Sequence, residues 1–260
     1  MLRPNDVVYD VFAGVGPFSI PAITKKKCFA VLANDLNPNS FKYLTENYNL
    51  NNKSKLKKKE LDERKEYIKL NPPSKQIIEN NGGKFKFDVN QTFVAFNLDG
   101  RDFITKKLKY HFVEMLNYQL KYHPECKYYV LMNLPAISIE FLDAFKNLYD
   151  ENESKLISET FDENTRLKTC LNIFCYHFCK NADEALEAMH EQMKKELLEI
   201  DSLQITSKFV RKVAPNKDMF CSMFELSLEN LLFRVGGKKN KLAVAEDDTE
   251  NRPPKISKTD

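Results

Sequence analysis

The sequence predicts an α/β fold, a mostly parallel sheet with helices on both faces and an antiparallel hairpin at its C-terminal end. Four short apolar, β-rich runs, Val7 to Phe12, Cys28 to Ala33, Phe93 to Leu98 and Tyr128 to Leu134, are each followed by a stretch of helical periodicity. That alternation requires parallel strands buried on both faces. Two later β-rich runs, Gln204 to Val213 and Met219 to Ser227, are separated only by Ala214-Pro-Asn-Lys-Asp218, too short a link for a crossover, so they pair antiparallel at the sheet edge. The third observation is local. Of only seven glycines, Gly14 and Gly16 fall between the first strand and its helix, where the backbone needs positive φ or is approached too closely for a Cβ.

The elements follow in order. The first helix is expected over Pro17 to Lys26, because proline is tolerated at a first helical position whose N–H has no partner anyway. The second strand ends at Asp35. There Asn37 can cap and Pro38 can open a helix to Leu50. From about Asn51 to Asn90 the rhythm breaks into a lysine-rich insertion bearing Asn-Pro-Pro and Asn-Gly-Gly. Its basic stretch, Lys53 to Lys69, reads as a solvated helix or mobile segment, with an RNA contact as the alternative. Helices then follow over Arg101 to Tyr122 and Ile137 to Tyr149. An acidic connector, Asp150 to Glu163, leads to a fifth strand, Leu167 to Cys179. Asn181 to Leu198 is helical, with Ala185, Leu186, Met189 and Met193 on one stripe. The expected organisation is one domain over residues 1–235 and a disordered, charged tail over 236–260.

Composition narrows the class. A chain of 260 residues, 42% hydrophobic and 30% charged, can bury one substantial core. No apolar run approaches the 18 or so residues of a membrane span, and no signal-peptide pattern opens the chain. The expectation is a soluble intracellular protein without membrane contact. Met1-Leu-Arg-Pro-Asn-Asp leads straight into the first core strand, as it would in the latter part of a longer protein. The six cysteines form no CxxC pair and read as reduced core thiols. Cys170, Cys175, His177 and Cys179 invite a metal assignment, but on a strand Cys175 and Cys179 stand roughly 13 Å apart, too far for one zinc. No metal is expected.

The candidate site lies where the strands end. Asp35 follows Gly16 by 19 positions, near the spacing at which a strand-end carboxylate meets ribose hydroxyls. The third glycine of the dinucleotide fingerprint is missing, and Pro17 removes an N–H that a pyrophosphate would use. The loop therefore suits a phosphate-free cofactor such as S-adenosylmethionine better than NAD. Asp99 ends the third strand and can accept from an exocyclic amine such as adenine's, with Gly100 letting the base lie against backbone; equally, Asp99 or Asp102 can cap the helix that follows. Asn133-Leu-Pro135 ends the fourth strand and can present a stiffly held amide to a flat nitrogenous base, or simply form a turn.

Five segments in order carry a resemblance: Asp10-Val-Phe-Ala-Gly-Val-Gly-Pro-Phe18, Asn34-Asp-Leu-Asn-Pro38, Asn97-Leu-Asp-Gly-Arg-Asp102, Asn133-Leu-Pro-Ala136 with Glu140-Phe-Leu-Asp-Ala-Phe145, and Val210-Arg-Lys-Val-Ala-Pro-Asn-Lys-Asp-Met219. Together they resemble the archaeal and eukaryotic tRNA (guanine-37-N1)-methyltransferase family over about residues 5–228, the insertion excepted. The resemblance implies a Rossmann-like methyltransferase sheet. It also implies transfer of a methyl group from S-adenosylmethionine to N1 of the guanosine next to the tRNA anticodon. It assigns Gly14, Gly16, Asp35, Leu36, Asp99, Gly100 and Asn133 to the cofactor, and to Asn133 a catalytic part in positioning the base. The family's catalytic glutamate and arginine and its tRNA-outer-corner-binding domain precede the glycine loop, so they are expected outside this chain. A sister family transfers an aminocarboxypropyl group in wybutosine synthesis, but its fourth strand ends differently from Asn133-Leu-Pro135. A non-catalytic S-adenosylmethionine-binding module is the remaining alternative. The expected partner is the tRNA anticodon loop and the expected state a monomer, in cytoplasm or nucleus with a mitochondrial matrix pool.

Overall fold

The computed structural model describes residues 2–52, 92–180, 182–197, 200, 203–215 and 217–234. Seven strands, β1 (Val7–Asp10), β2 (Ala30–Asn34), β3 (Phe93–Phe96), β4 (Tyr128–Met132), β5 (Cys170–Cys179), β6 (Thr206–Ala214) and β7 (Lys217–Ser227), form one sheet in the order β3-β2-β1-β4-β5-β7-β6. The first five run parallel; β7 is antiparallel to both β5 and β6. The predicted fold class is the one observed. The central strands β1 and β2 are buried at every position, as Val-Val-Tyr-Asp and Ala-Val-Leu-Ala-Asn must be when helices cover both faces.

Around the sheet lie α1 (Ser19–Thr24), α2 (Pro38–Asn51), α3 (Gly100–Phe103, a π-helical turn at Ile104–Leu108, then Lys109–Tyr122), a 3₁₀ segment (Ser138–Phe145), α4 (Glu151–Thr160), α5 (Glu163–Lys168), α6 (Ala182–Glu196) and α7 (Leu228–Leu231). Asn37 caps α2, its side chain accepting from the Asn39 N–H at 2.9 Å, with Pro38 in the first turn. The larger core packs Phe103, Ile104, Leu108, Phe112 and Leu116 of α3 against β1, β4 and β5; a smaller one packs α1 and α2 against the other face through Ile20, Ala22 and Leu44.

Several expected elements differ. α1 begins at Ser19 rather than Pro17, which stays in the turn after the glycines. The acidic connector is in fact α4, because Asp150 and Glu153 form a reciprocal capping box and the acids gather where the helix dipole favours them. The fifth strand starts at Cys170, not Leu167. Asp162 accepts from the Thr165 N–H at 2.8 Å and starts α5, which takes Leu167 and Lys168 into a helix. The expected helix at Ile137 to Tyr149 is the 3₁₀ segment. There Ser138, Phe141 and Ala144, and likewise Ile139, Leu142 and Phe145, are buried at intervals of three, while Glu140 and Asp143 form the outer stripe. β5 alternates strictly, with Cys175, His177 and Cys179 on one face, the strand geometry on which the metal argument rested. Burial pushes the Cys175 thiol up to about 12. The basic stretch Lys53 to Lys69 and the tail 236–260 lie outside the described residues.

Candidate cofactor-binding site at the carboxyl edge

Strands β1 to β4 all end at one edge of the sheet, and the order reverses between β1 and β4, the switch point where open α/β sheets bind ligands. Asp10 pairs in register with Ala33 on one side and Leu131 on the other. Asp35 and Asn133 therefore stand two residues beyond Asp10's neighbours, and Asp99 stands three beyond Phe96, the partner of Asn34. The predicted residues are thus gathered at one edge.

Gly14 and Gly16 hold φ of 56° and 92°. Their reasons differ. A Cβ on Gly14 would meet nothing within 4 Å, whereas one on Gly16 would lie 2.5 Å from Ile20 and 2.8 Å from Leu44. Asp35 fixes this loop, because its Oδ2 accepts from the Gly14 N–H at 2.8 Å while Oδ1 accepts from the Asn37 N–H at 2.9 Å. Leu36 beside it is 65% exposed, an apolar side chain held in solvent at the rim.

Two asparagines hold the loops together, and the sequence motifs contained them without revealing their part. Asn34 is fully buried; its Nδ2 donates to the Val11 and Leu98 carbonyls at 3.1 and 3.0 Å and its Oδ1 accepts from the Leu98 N–H at 3.0 Å. One side chain thereby ties the loops after β1 and β3. Asn97 Nδ2 donates to the Asp35 and Leu36 carbonyls at 2.7 and 2.9 Å. The available signal was Asn34 itself. A polar residue closing an apolar strand must find partners when buried.

Asp99 does cap α3, its Oδ1 accepting from the Arg101 N–H at 2.9 Å. Gly100 has a packing reason to be glycine beside the expected one. Its Cβ would lie 2.9 Å from the rings of Phe12 and Phe141, so side-chain packing excludes it. Those rings meet edge to face at 4.9 Å, and the Arg101 guanidinium sits over Phe141 at 4.4 Å while its Nε donates to Asp143 at 2.9 Å. The loop after β3 is in this way clamped to the 3₁₀ segment after β4.

Two buried oxygens complete the site. Asp10 is 0% exposed; Ser19 Oγ donates to its Oδ2, but Oδ1 has no hydrogen-bond partner among the described residues. Burial pushes this carboxyl up to about 7, against the lowering effect of Ser19. Asn133 Oδ1, just past the end of adjacent β4, is likewise buried without a partner among the described residues. An unmatched buried acceptor costs about 1–3 kcal/mol, so a pair of them beside a glycine loop marks a place where a donor-bearing ligand fits. By contrast, a cleft of about 410 Å³ between Gln119, Lys127, Lys168 and Asn172 opens at the amino ends of β4 and β5, away from these groups.

Comparison with known proteins agrees with this arrangement. Residues 1–80 match the sequence model of the TRM5/TYW2 methyltransferase domain. A tRNA (guanine(37)-N(1))-methyltransferase of Drosophila pseudoobscura pseudoobscura is 36% identical over 100% of this chain and 48% of its own length. Proteins of the same name from Xenopus tropicalis and Homo sapiens are 37% and 36% identical over 90% and 87% of this chain, and over 37% and 34% of their own lengths. The chain thus spans about half or less of the curated relatives it matches. Among solved structures, M. jannaschii TYW2 in complex with AdoMet has the same fold, with a TM-score of 0.50 and 20% identity over 87% of this chain and 71% of that one. The chain thus matches the TRM5/TYW2 methyltransferase domain over residues 1–80 and is similar along its whole length to part of a tRNA (guanine(37)-N(1))-methyltransferase.

Proposed function

We propose that this chain transfers the methyl group of S-adenosylmethionine to N1 of guanosine 37 in tRNA. The observation that carries the reading is the pair of unpartnered buried oxygens, Asp10 Oδ1 and Asn133 Oδ1, on the two strands flanking the switch point. They call for a ligand rich in N–H donors, and Pro17, just ahead of α1, removes an N–H that a pyrophosphate would use. S-adenosylmethionine fits this donor demand. Asp10 would hold its amino end, Asp35 and Leu36 its ribose and adenine, and Asp99, whose Oδ1 accepts from the Arg101 N–H, would offer Oδ2 to the adenine amine. The bound cofactor supplies an electrophilic methyl group on a sulfonium.

N1 of neutral guanine carries a proton. As the N1–CH₃ bond forms and the S–CH₃ bond breaks, that proton must leave to a base and O6 gathers negative charge. Asn133 is an amide and takes no proton. Its part is to hold the guanine edge against the methyl, with Pro135 fixed by its carbonyl accepting from the Phe178 N–H at 3.1 Å. The same Asn133-Leu-Pro135 favours methyl over aminocarboxypropyl transfer.

The test uses S-adenosylmethionine labelled in the methyl group and, separately, in the aminocarboxypropyl chain, with unmodified tRNA. Label from the methyl alone, at position 37, is expected. Label from the other chain establishes the sister reaction. Cofactor binding without transfer leaves a binding module.

A further inference from the structure

We propose that β6, one of the two edge strands of the sheet among the described residues, is a docking surface for the phosphate backbone of RNA; this rests on the tRNA reading above and extends it to a second surface. β6 is exposed at nearly every position. It carries Lys208, Arg211 and Lys212 with no acidic residue between Thr206 and Ala214. Among the described residues none of these three, nor Lys217 across the hairpin, forms an ion pair. Interleaved with the cations are Phe209, 58% exposed, and Val210 and Val213, each 43% exposed.

Lysines and bulges on an edge strand are also how proteins prevent edge-to-edge aggregation, and β6 has irregularities at Phe209/Arg211 and Lys212/Ala214. Protection alone does not explain an exposed phenylalanine among them. The ring packs edge to face on Phe220 at 5.7 Å and still leaves more than half of its surface to solvent. Unpaired cations alternating with an aromatic ring are instead the pattern that binds phosphates and stacks on bases.

Position supports the assignment. β6 runs antiparallel to β7, which is antiparallel to β5, so the Arg211 to Ala214 end lies at the same edge as Asn133. Lys217 sits over the Phe178 ring at 4.0 Å, and the Phe178 N–H bonds the Pro135 carbonyl. Lys217 therefore bridges from the Asn133 loop across β7 to β6, with Asp218, the register partner of Lys212, the acidic residue beside it. Charge also selects the occupant. A second copy adding β6 to β6 antiparallel would bring Lys208, Arg211 and Lys212 against the same three cations, whereas a polyanion is drawn to them.

The test compares the 260-residue chain with its Lys208→Ala/Arg211→Ala/Lys212→Ala variant and with Phe209→Ala, measuring affinity for unmodified tRNA as a function of salt. The triple variant is expected to bind tRNA at least tenfold more weakly, with the slope of log K against log salt reduced by about 2–3. Phe209→Ala is expected to weaken binding several-fold with the slope unchanged. Calorimetric affinity for S-adenosylmethionine should stay constant in both, which excludes misfolding as the cause. Equal tRNA affinity and slope in wild type and triple variant overturns the β6 assignment alone. A wild-type chain that binds S-adenosylmethionine but no tRNA overturns it together with the tRNA reading. A change in sedimentation from dimer to monomer without a change in tRNA affinity assigns β6 to self-association instead.

Discussion

Gly14 and Gly16 stand two residues apart and are required for different physical reasons. At φ 56° Gly14 is in the left-handed region with open space around it, so Gly14→Ala adds about 1–2 kcal/mol of backbone strain and nothing else. Gly16 combines φ 92° with overlap onto Ile20 and Leu44, so Gly16→Ala should cost about 3 kcal/mol or more. Thermal melts are expected to show a clearly larger loss for Gly16→Ala than for Gly14→Ala, and equal losses would refute this division. Asp35 adds a second residue-level prediction. Its carboxylate holds the Gly14 and Asn37 N–H groups, so Asp35→Ala should weaken S-adenosylmethionine binding by tenfold or more and also lower stability by about 1–3 kcal/mol. Calorimetry and melting together check both, and intact affinity removes Asp35 from the site. Sequence spacing alone pointed Asp35 at a ligand. That it also holds the glycine loop was not legible, because a backbone N–H that is near in space leaves no mark 21 positions away.

At the scale of elements, the 3₁₀ segment shows how a period can be misread. Glu140 and Asp143, followed by Lys146, repeat every three residues, and the buried stripes between them fit three residues per turn rather than 3.6. The signal was present in Ser138-Ile-Glu-Phe-Leu-Asp-Ala-Phe145 but is short, and an apolar run of this length also suits an α-helix. α4 was hidden for the opposite reason: its acids looked like a solvated connector until the Asp150/Glu153 capping box gave them a place. Strands β1 to β4 were legible because branched and aromatic residues and flanking turns agreed at each. Arg101 joins two of these elements, donating to Asp143 and to the Glu140 carbonyl and lying over Phe141. Arg101→Lys should lose the paired donors and the planar stacking together. The expected loss is about 1–2 kcal/mol in chemical denaturation, most of that seen for Arg101→Ala; a lysine variant as stable as wild type would show that charge alone suffices there.

Over the whole molecule, the sheet order decides what the buried titratable groups do, since β1 lies at the centre and carries Asp10 with helices on both sides. Burial pushes Asp10 up to about 7, and Glu114 of α3 likewise to about 7. Both hold a proton in the folded chain that the unfolded chain releases above about pH 4, so their contribution is full below that pH and is lost as pH rises towards 7. Burial acts oppositely on imidazoles, depressing His177 to about 4 and His111 to about 3. The unfolded chain takes up those protons below about pH 6.5, so stability is lost as pH falls from there through 4. Burial lowers His190 as well, so two carboxyls are set against three imidazoles over the same window, and the wild-type melting temperature should rise gently with pH between about 4.5 and 6.5. Asp10→Asn removes one carboxyl and leaves all three imidazoles. Its melting temperature is expected to climb more steeply with pH than that of wild type across this window and to run parallel to it above about pH 8. Melting profiles of the two proteins in a common buffer series test this: parallel curves throughout would mean that Asp10 keeps its charge in the folded chain, and that its unpartnered oxygen is solvated rather than waiting for a ligand.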